Sequence, residues 1–177
     1  MKTLPKSALV AAAALLAFGL GFALQGLTDR RAGAPDIEGL LWPPGGPLAP
    51  FSLIDQDGAT FDRGRLEGHW TLLFFGFTHC PDVCPATLQV MDTAARRAVA
   101  AGVPAEELQV VMVSVDPARD TPQQLERYLD YFNEDFIGVT GPDERLTALT
   151  RQLGALYVRE PAGPGGGYNV DHTAALF

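Results

Sequence analysis

The stretch from residue 70 to residue 85, WTLLFFGFTHCPDVCP, joins an apolar run to the two cysteines of the chain, Cys80 and Cys84. Its first half does not alternate apolar with polar residues, which predicts a strand covered on both faces, as in a sheet flanked by helices. Pro85 suits the first turn of a helix, because a proline there loses no intrahelical hydrogen bond. Residues 86–101 continue with apolar side chains at helical spacing, namely Leu88, Met91, Ala95 and Val99. The sequence therefore predicts a buried strand that delivers two thiols to the start of a helix.

The position of the cysteines determines which chemistry is open to them. Unpaired backbone N–H groups and the positive end of a helix dipole stabilise a thiolate, so we expect a lowered thiol pKa at this helix start. If the turn is helical, the Cα atoms of Cys80 and Cys84 lie about 6 Å apart. A disulfide and a single metal ion both fit that separation. A purely structural disulfide is the simpler alternative, although so short a loop removes little entropy from the unfolded chain.

The amino-terminal segment differs in composition from the rest of the chain. Residues 7–27 carry no charge, and these 21 residues would cross a hydrocarbon layer of about 30 Å. Lys2 and Lys6 precede the run, which favours an orientation with the following domain outside the cytoplasm, in an oxidising compartment. We expect a membrane anchor at 1–28, with a cleaved signal segment as the alternative, although no Ala-x-Ala site follows the run.

Residues 29–50 are rich in proline and glycine, which indicates an extended tether before a domain at 51–177. From residue 29 onward the chain has no lysine, and eleven arginines stand against 21 acidic residues, a formal charge of −10. This charge disfavours nucleic acid and anionic lipid surfaces as partners. It suits cations or a basic partner face, and solubility alone explains it equally well.

The domain alternates strand and helix patterns after its first hairpin. The expected elements are a hairpin turn at Asp57-Gly58, the buried strand and helix already described, a buried strand at 108–115, a helix capped by Thr121, a strand at 136–140, a helix that starts after Pro142 and stops at Gly154, a glycine-rich loop at 161–167 and a last strand within 168–177. This order predicts an α/β fold whose sheet has mixed strand directions and is flanked by helices.

Three histidines are candidates for a further ligand. His69 precedes a strand and is most simply a surface residue. His79 could raise the thiolate population of Cys80 through its charge, but its side chain is expected to point away from that cysteine. His172 follows the glycine-rich loop at a strand start, where a lone histidine is more often structural than a ligand. Two thiolates that hold a metal ion nevertheless require a third ligand.

Three motifs together resemble the Sco/SenC family. They are THCPDVCP at 78–85, VSVDPARDTP at 113–122 and YNVDHTAALF at 168–177. The resemblance covers residues 50–177 in order, and the anchor and tether agree with it. It implies a membrane-anchored, thioredoxin-fold copper protein that helps assemble the dinuclear copper centre of cytochrome c oxidase.

The resemblance also implies which residues act. Cys80, Cys84 and His172 would be the copper ligands, with Asp171 at most a supporting residue behind them. Asp116 and Pro117 lie in the second motif, and the sequence assigns them no chemical role. Soft thiolates with one imidazole suit Cu(I) and can hold Cu(II), whereas a structural zinc site normally takes a fourth protein ligand.

Partners and location follow from the same resemblance. The implied partner is the copper site of cytochrome c oxidase subunit II, with other periplasmic copper chaperones or thioredoxin-like reductases as further partners, and no nucleic acid. The implied location is the bacterial inner membrane, with a single span and the domain facing the periplasm.

A thiol–disulfide oxidoreductase is the competing function. It would use Cys80 and Cys84 to reduce a partner's disulfide through a mixed disulfide and would not need His172. The three-residue spacing is one longer than the usual CxxC redox pair. The chain also departs from the family, because only residues 173–177 follow His172 where the family has a further strand and a helix. We therefore expect a domain truncated at its carboxyl terminus, in which a central strand is cut short and apolar surface on neighbouring elements is left uncovered.

Overall fold

The computed structural model describes residues 46–161 and 167–177, with Gly19 as an isolated further position. The expected anchor at 1–28 otherwise lies outside the described residues, as does the tether up to residue 45. Within the described part of the chain, no helix combines the length and the apolar character that a membrane crossing needs.

A five-stranded mixed sheet forms the centre of the domain. Its strands are β1 (Ser52–Asp55), β2 (Thr60–Asp62), β3 (Trp70–Gly76), β4 (Leu108–Ser114) and β5 (Ile137–Thr140). The order across the sheet is β2-β1-β5-β4-β3, in which β3, β4 and β5 are parallel and the β1–β2 hairpin joins β5 in antiparallel direction. The hairpin turns at Gly58, whose φ of +77° favours glycine. The predicted mixed α/β sheet and the hairpin are confirmed.

Three α-helices flank the sheet within the described residues. They are α1 (Val83–Ala100), α2 (Pro122–Asp130) and α3 (Asp143–Gln152), and short 3₁₀ turns cover Arg63–Arg65 and Ala105–Glu107. As expected, the side chain of Thr121 accepts the hydrogen bond that caps α2, and α3 stops before Gly154, whose φ is +71°. Helix α1 begins two residues before the predicted Pro85. Proline is tolerated there because all N–H groups of the first turn lack intrahelical acceptors.

The apolar runs of β3 and β4 account for the core. Residues 73–77 and 110–116 are all buried, so both faces of these two strands are covered. From α1 the core receives Leu88 and Met91, whereas Val99 remains 42% exposed near the end of the helix. Because β3 and β4 run parallel with Gly76 opposite Ser114, the loops that follow them leave the sheet side by side.

The carboxyl-terminal segment forms a small second sheet and then returns to β3. Strand β6 (Tyr157–Arg159), which the sequence pattern did not predict, pairs in antiparallel direction with β7 (Val170–His172). Within the strand pattern at 168–177, only Val170–His172 form β7, and Phe177 exchanges two backbone hydrogen bonds with Leu73 of β3. The side chains of Val158 on β6 and of Leu156 just before the strand both face solvent.

Candidate metal centre

Two thiols and one imidazole converge at the carboxyl end of β3. Cys80 lies in the loop after the strand, Cys84 in the first turn of α1 and His172 at the end of β7. Their donor atoms lie within 4.8 Å of one another, and the Sγ of Cys84 is 3.4 Å from the Nε2 of His172. Both cysteines are free thiols. The structure thus brings together the three residues that the motifs single out.

The imidazole of His172 is held by its neighbours with one nitrogen towards the thiols. Its Nδ1 lies 3.2 Å from the carbonyl oxygen of Thr173. A carbonyl only accepts, so this bond assigns the proton to Nδ1 and leaves the lone pair of Nε2 free for a metal ion. The rings of Phe74 and Phe77 meet the imidazole edge-on, each with its centroid 5.8 Å away. The ring is therefore oriented before any ion arrives.

Cys84 departs from the expected acidity. The prediction that the helix start lowers its pKa is wrong, because complete burial raises the pKa of the Cys84 thiol well above its usual range, and the hydrogen bond with Cys80 raises it further. The backbone hydrogen bond from Phe77 acts in the opposite direction and is outweighed. At a buried position, the desolvation free energy of an unpaired thiolate exceeds the stabilisation that the helix start provides. Without a metal ion, Cys84 is therefore a neutral thiol near pH 7.

This raised pKa predicts how the stability of the reduced, metal-free protein depends on pH. Above the ordinary thiol pKa of about 8.5, the unfolded chain releases the Cys84 proton while the folded chain keeps it. The unfolded state is then favoured, and the free energy of unfolding should fall by about 1.4 kcal/mol per pH unit from this group alone. Urea unfolding under reductant between pH 8 and 10 measures the slope.

A matched pair of variants isolates the contribution of Cys84. Cys84→Ala should flatten the slope below pH 10, whatever it does to the stability itself. Tyr128→Phe should leave it unchanged, since the ordinary tyrosine pKa is about 10 and burial raises the pKa of Tyr128 further. A slope that survives Cys84→Ala would contradict the assignment.

Gly76 allows the close approach of the strand to Cys84. A Cβ built on Gly76 would lie 2.5 Å from Cε1 of Phe74 and 3.2 Å from the Sγ of Cys84. No side chain fits there without movement of the ring or the sulfur. No motif of the sequence marks Gly76, although a glycine inside an otherwise apolar strand is a signal of close packing.

Two buried aspartates beside the site were also missed as functional candidates. Asp116 and Asp120 lie in the loop after β4, fully buried, and form a cluster with His79. Both carboxylates already accept hydrogen bonds from protein groups, so the cluster is a hydrogen-bonded support of the loop. Pro117 follows Asp116 in the same loop, and nothing in the structure gives it a chemical role.

The other predicted residues lie around or away from the centre. An open cavity of about 370 Å³ is lined by Cys80, Asp171 and His172 among others, and Asp171 is exposed at its rim. His79 is half-exposed, with its Nδ1 3.1 Å from the hydroxyl of Thr78. His69 is exposed in the loop before β3, with its Nδ1 near the carbonyl oxygen of Glu67.

The chain is similar to one family model and to individual known proteins. The family model described as SCO1/SenC matches residues 47–177. A candidate copper-binding protein of Stutzerimonas stutzeri is 41% identical over 166 residues, which cover 92% of this chain and 78% of the relative. The mitochondrial SCO2 homolog of Bos taurus is 36% identical over 72% of this chain, which spans only 47% of that relative.

Solved structures of copper-loaded proteins have the same fold. Arabidopsis thaliana ScoI with copper bound superposes with a TM-score of 0.66 at 38% identity, over 75% of this chain and 79% of that one. Bradyrhizobium japonicum ScoI with copper bound superposes with a TM-score of 0.65 at 36% identity, over 75% of this chain and 80% of that one.

Proposed function

This chain belongs to the SCO1/SenC family, and from that premise we propose that it binds one copper ion through Cys80, Cys84 and His172 and passes the ion to a partner. The observation that carries the proposal is the convergence of two thiols and one imidazole nitrogen within 4.8 Å. Two sulfur donors and one nitrogen donor match the preference of Cu(I) and can also hold Cu(II). The free Nε2 lone pair of His172 supplies the third ligand without a change of tautomer.

The surroundings of the site suit transfer as well as binding. Cys84 is completely enclosed, whereas Cys80 and His172 line an open cavity. A partner's thiolate or imidazole can therefore approach from the side of Cys80, and the ion would move by ligand exchange while Cys84 remains covered. Asp171 and Asp82 at the rim would favour a partner with a basic face around its own copper site.

The destination and location belong to the same proposal. The resemblance to the Sco/SenC family supports delivery to the dinuclear copper centre of cytochrome c oxidase subunit II. The uncharged segment 7–27 supports an uncleaved anchor in the bacterial inner membrane, with the domain in the periplasm. A dithiol in that oxidising compartment must be kept reduced or occupied to avoid becoming a disulfide, and a bound ion would protect it.

The oxidoreductase alternative stays a prediction that one residue distinguishes from copper binding. Dithiol exchange needs a reactive thiolate, and the raised pKa of Cys84 leaves that role to Cys80. His172 takes no part in such an exchange, whereas a three-ligand copper site requires it.

The test is an anaerobic Cu(I) titration of the reduced full chain in detergent against a competing chelator. Wild type should bind one ion, and His172→Ala should bind about 100-fold more weakly, because one ligand contributes about 3 kcal/mol of a typical site. His69→Ala is the matched control, since that imidazole is exposed and outside the site. If His172→Ala remains folded and binds copper as tightly as wild type, the three-ligand site is wrong and the oxidoreductase function is favoured.

A further inference from the structure

One loop contacts both halves of the candidate copper site. The loop follows β4 and contains Asp116 and Asp120, whose side chains are completely buried. One half of the site is the cysteine segment after β3, and the other half is the segment that carries His172. Each carboxylate contacts a different half, and the donor cluster of Cys80, Cys84 and His172 includes neither aspartate.

Asp120 holds the cysteine segment in place by hydrogen bonds to Thr78. The backbone N–H of Thr78, two residues before Cys80, donates to Oδ2 of Asp120 at 2.9 Å. The hydroxyl of Thr78 donates to Oδ1 at 2.6 Å. The hydroxyl of Ser114 donates to Oδ2 at 2.6 Å and fixes the carboxylate against the end of β4. Hydrogen bonds to a buried carboxylate are among the stronger ones, so the entry to the cysteine loop has little freedom.

Asp116 holds the histidine segment in place through Tyr168. The hydroxyl of Tyr168, four residues before His172, donates to Oδ1 of Asp116 at 2.5 Å. Arg119 donates from Nε to Asp116 and from Nη1 to the carbonyl oxygen of Tyr168 at 3.0 Å. The guanidinium carbon of Arg119 also lies 3.8 Å from the centroid of the Tyr168 ring. Asp116 and Arg119 therefore hold both the side chain and the backbone of Tyr168 just before β7.

We propose that Asp116 and Asp120 are positioning residues for different copper ligands, Asp120 for Cys80 and Asp116 for His172. This inference rests on the proposed copper function. The loop between Asp116 and Asp120 is short. The two carboxylates therefore hold the two ligand segments, which are distant in the chain, at a fixed separation from each other. Groups that orient metal ligands typically change metal affinity by about 10–100-fold, which sets the expected size of the effect.

The first experiment measures Cu(I) affinity of the full chain for Asp116→Asn and Asp120→Asn, each in the wild-type and the His172→Ala background. An effect transmitted through a ligand disappears once that ligand is removed. Asp116→Asn should therefore weaken binding about tenfold in wild type and less than about twofold with His172→Ala. Asp120→Asn should weaken binding by a similar factor in both backgrounds, because it acts through Cys80.

A second readout uses the copper-free protein. The equilibrium between the dithiol and the Cys80–Cys84 disulfide is measured against reduced and oxidised glutathione. In this exchange, two glutathione molecules are oxidised for each protein disulfide reduced. Asp120→Asn should shift the equilibrium constant at least about threefold, because it changes how freely Cys80 reaches Cys84. Asp116→Asn should leave the constant unchanged.

Controls separate positioning from loss of structure. Asp55→Asn removes another buried, hydrogen-bonded carboxylate, in β1 away from the site, and should change neither readout even if it lowers the melting temperature. Thr78→Val and Tyr168→Phe remove the partner hydroxyls and should reproduce Asp120→Asn and Asp116→Asn in milder form.

The outcomes are distinguishable. Losses of equal size in both backgrounds for both aspartate variants, or no loss for either, overturn the inference. If wild type binds no copper, the proposed function fails, and the Asp116 half of the inference fails with it. The glutathione equilibrium then decides the Asp120 half alone, since a shift supports it and an unchanged constant overturns it.

Discussion

Replacing Cys84 with serine is expected to weaken Cu(I) binding by about 1,000-fold, the largest effect of any single substitution in this chain. A neutral hydroxyl does not replace a thiolate as a ligand for a soft ion. Cys84 is also completely buried, and its Sγ is 3.4 Å from the Nε2 of His172, so no other group of the described residues is at hand to take its place. The measurement is the same anaerobic titration against a chelator.

The controls for this variant lie on the same helix and in the same site. Thr87→Ser, one turn further along α1, should bind copper as wild type does. Cys80→Ser should also lose affinity, because it removes the other thiolate. Since serine fits the space of cysteine, Cys84→Ser should still unfold cooperatively in urea. If folded Cys84→Ser binds copper within tenfold of wild type, Cys84 is not a ligand.

Gly76→Ala is expected to damage both the stability and the copper site. The added methyl group would overlap the ring of Phe74 and crowd the Sγ of Cys84. Overpacking of this kind typically costs about 1–3 kcal/mol. Here the atoms that must move belong to Cys84, a proposed ligand, and to the Phe74 ring, which contacts His172. We expect Cu(I) affinity to fall at least about tenfold, as for other changes that misorient metal ligands.

Gly138→Ala is a matched control for this prediction. A Cβ on Gly138, in strand β5 on the other side of β4, would lie 2.8 Å from atoms of Leu125 and of Leu129. It should therefore destabilise the domain by a comparable amount. Because the atoms nearest to that Cβ belong to neither a proposed copper ligand nor Phe74, the Cu(I) affinity of Gly138→Ala should remain that of wild type. Equal affinity of the two alanine variants would show that Gly76 matters to the fold alone.

The parts of the fold that the sequence predicts are those with strong local patterns. The apolar runs of β3 and β4, the cap at Thr121 and the turn at Gly58 each reveal an element without knowledge of the rest. Strand β6 has only three residues, and no alternation distinguishes it from a loop. Its pairing with β7 is a tertiary contact that local patterns do not encode.

The candidate site likewise contains residues that the sequence predicts and residues whose roles it does not reveal. Cys80, Cys84 and His172 are recognisable because few residue types bind soft metals and the motifs mark them. The roles of Asp116 and Asp120 depend on partners 52 and 42 residues away in the chain, so their types and spacing do not reveal them. The pKa of Cys84 was mispredicted for a related reason. A helix start is visible in a sequence, whereas the burial that outweighs it appears only in three dimensions.

The contact between Cys84 and His172 spans 88 positions of the chain. An ion held by both residues would close a loop of that length, and in chain-entropy terms such a crosslink disfavours the unfolded state by about 4–5 kcal/mol. The bound ion would then stabilise the folded state of the protein that transfers it. Release of the ion would leave a protein that opens more often, so proteases of the same compartment would remove empty carriers faster than loaded ones.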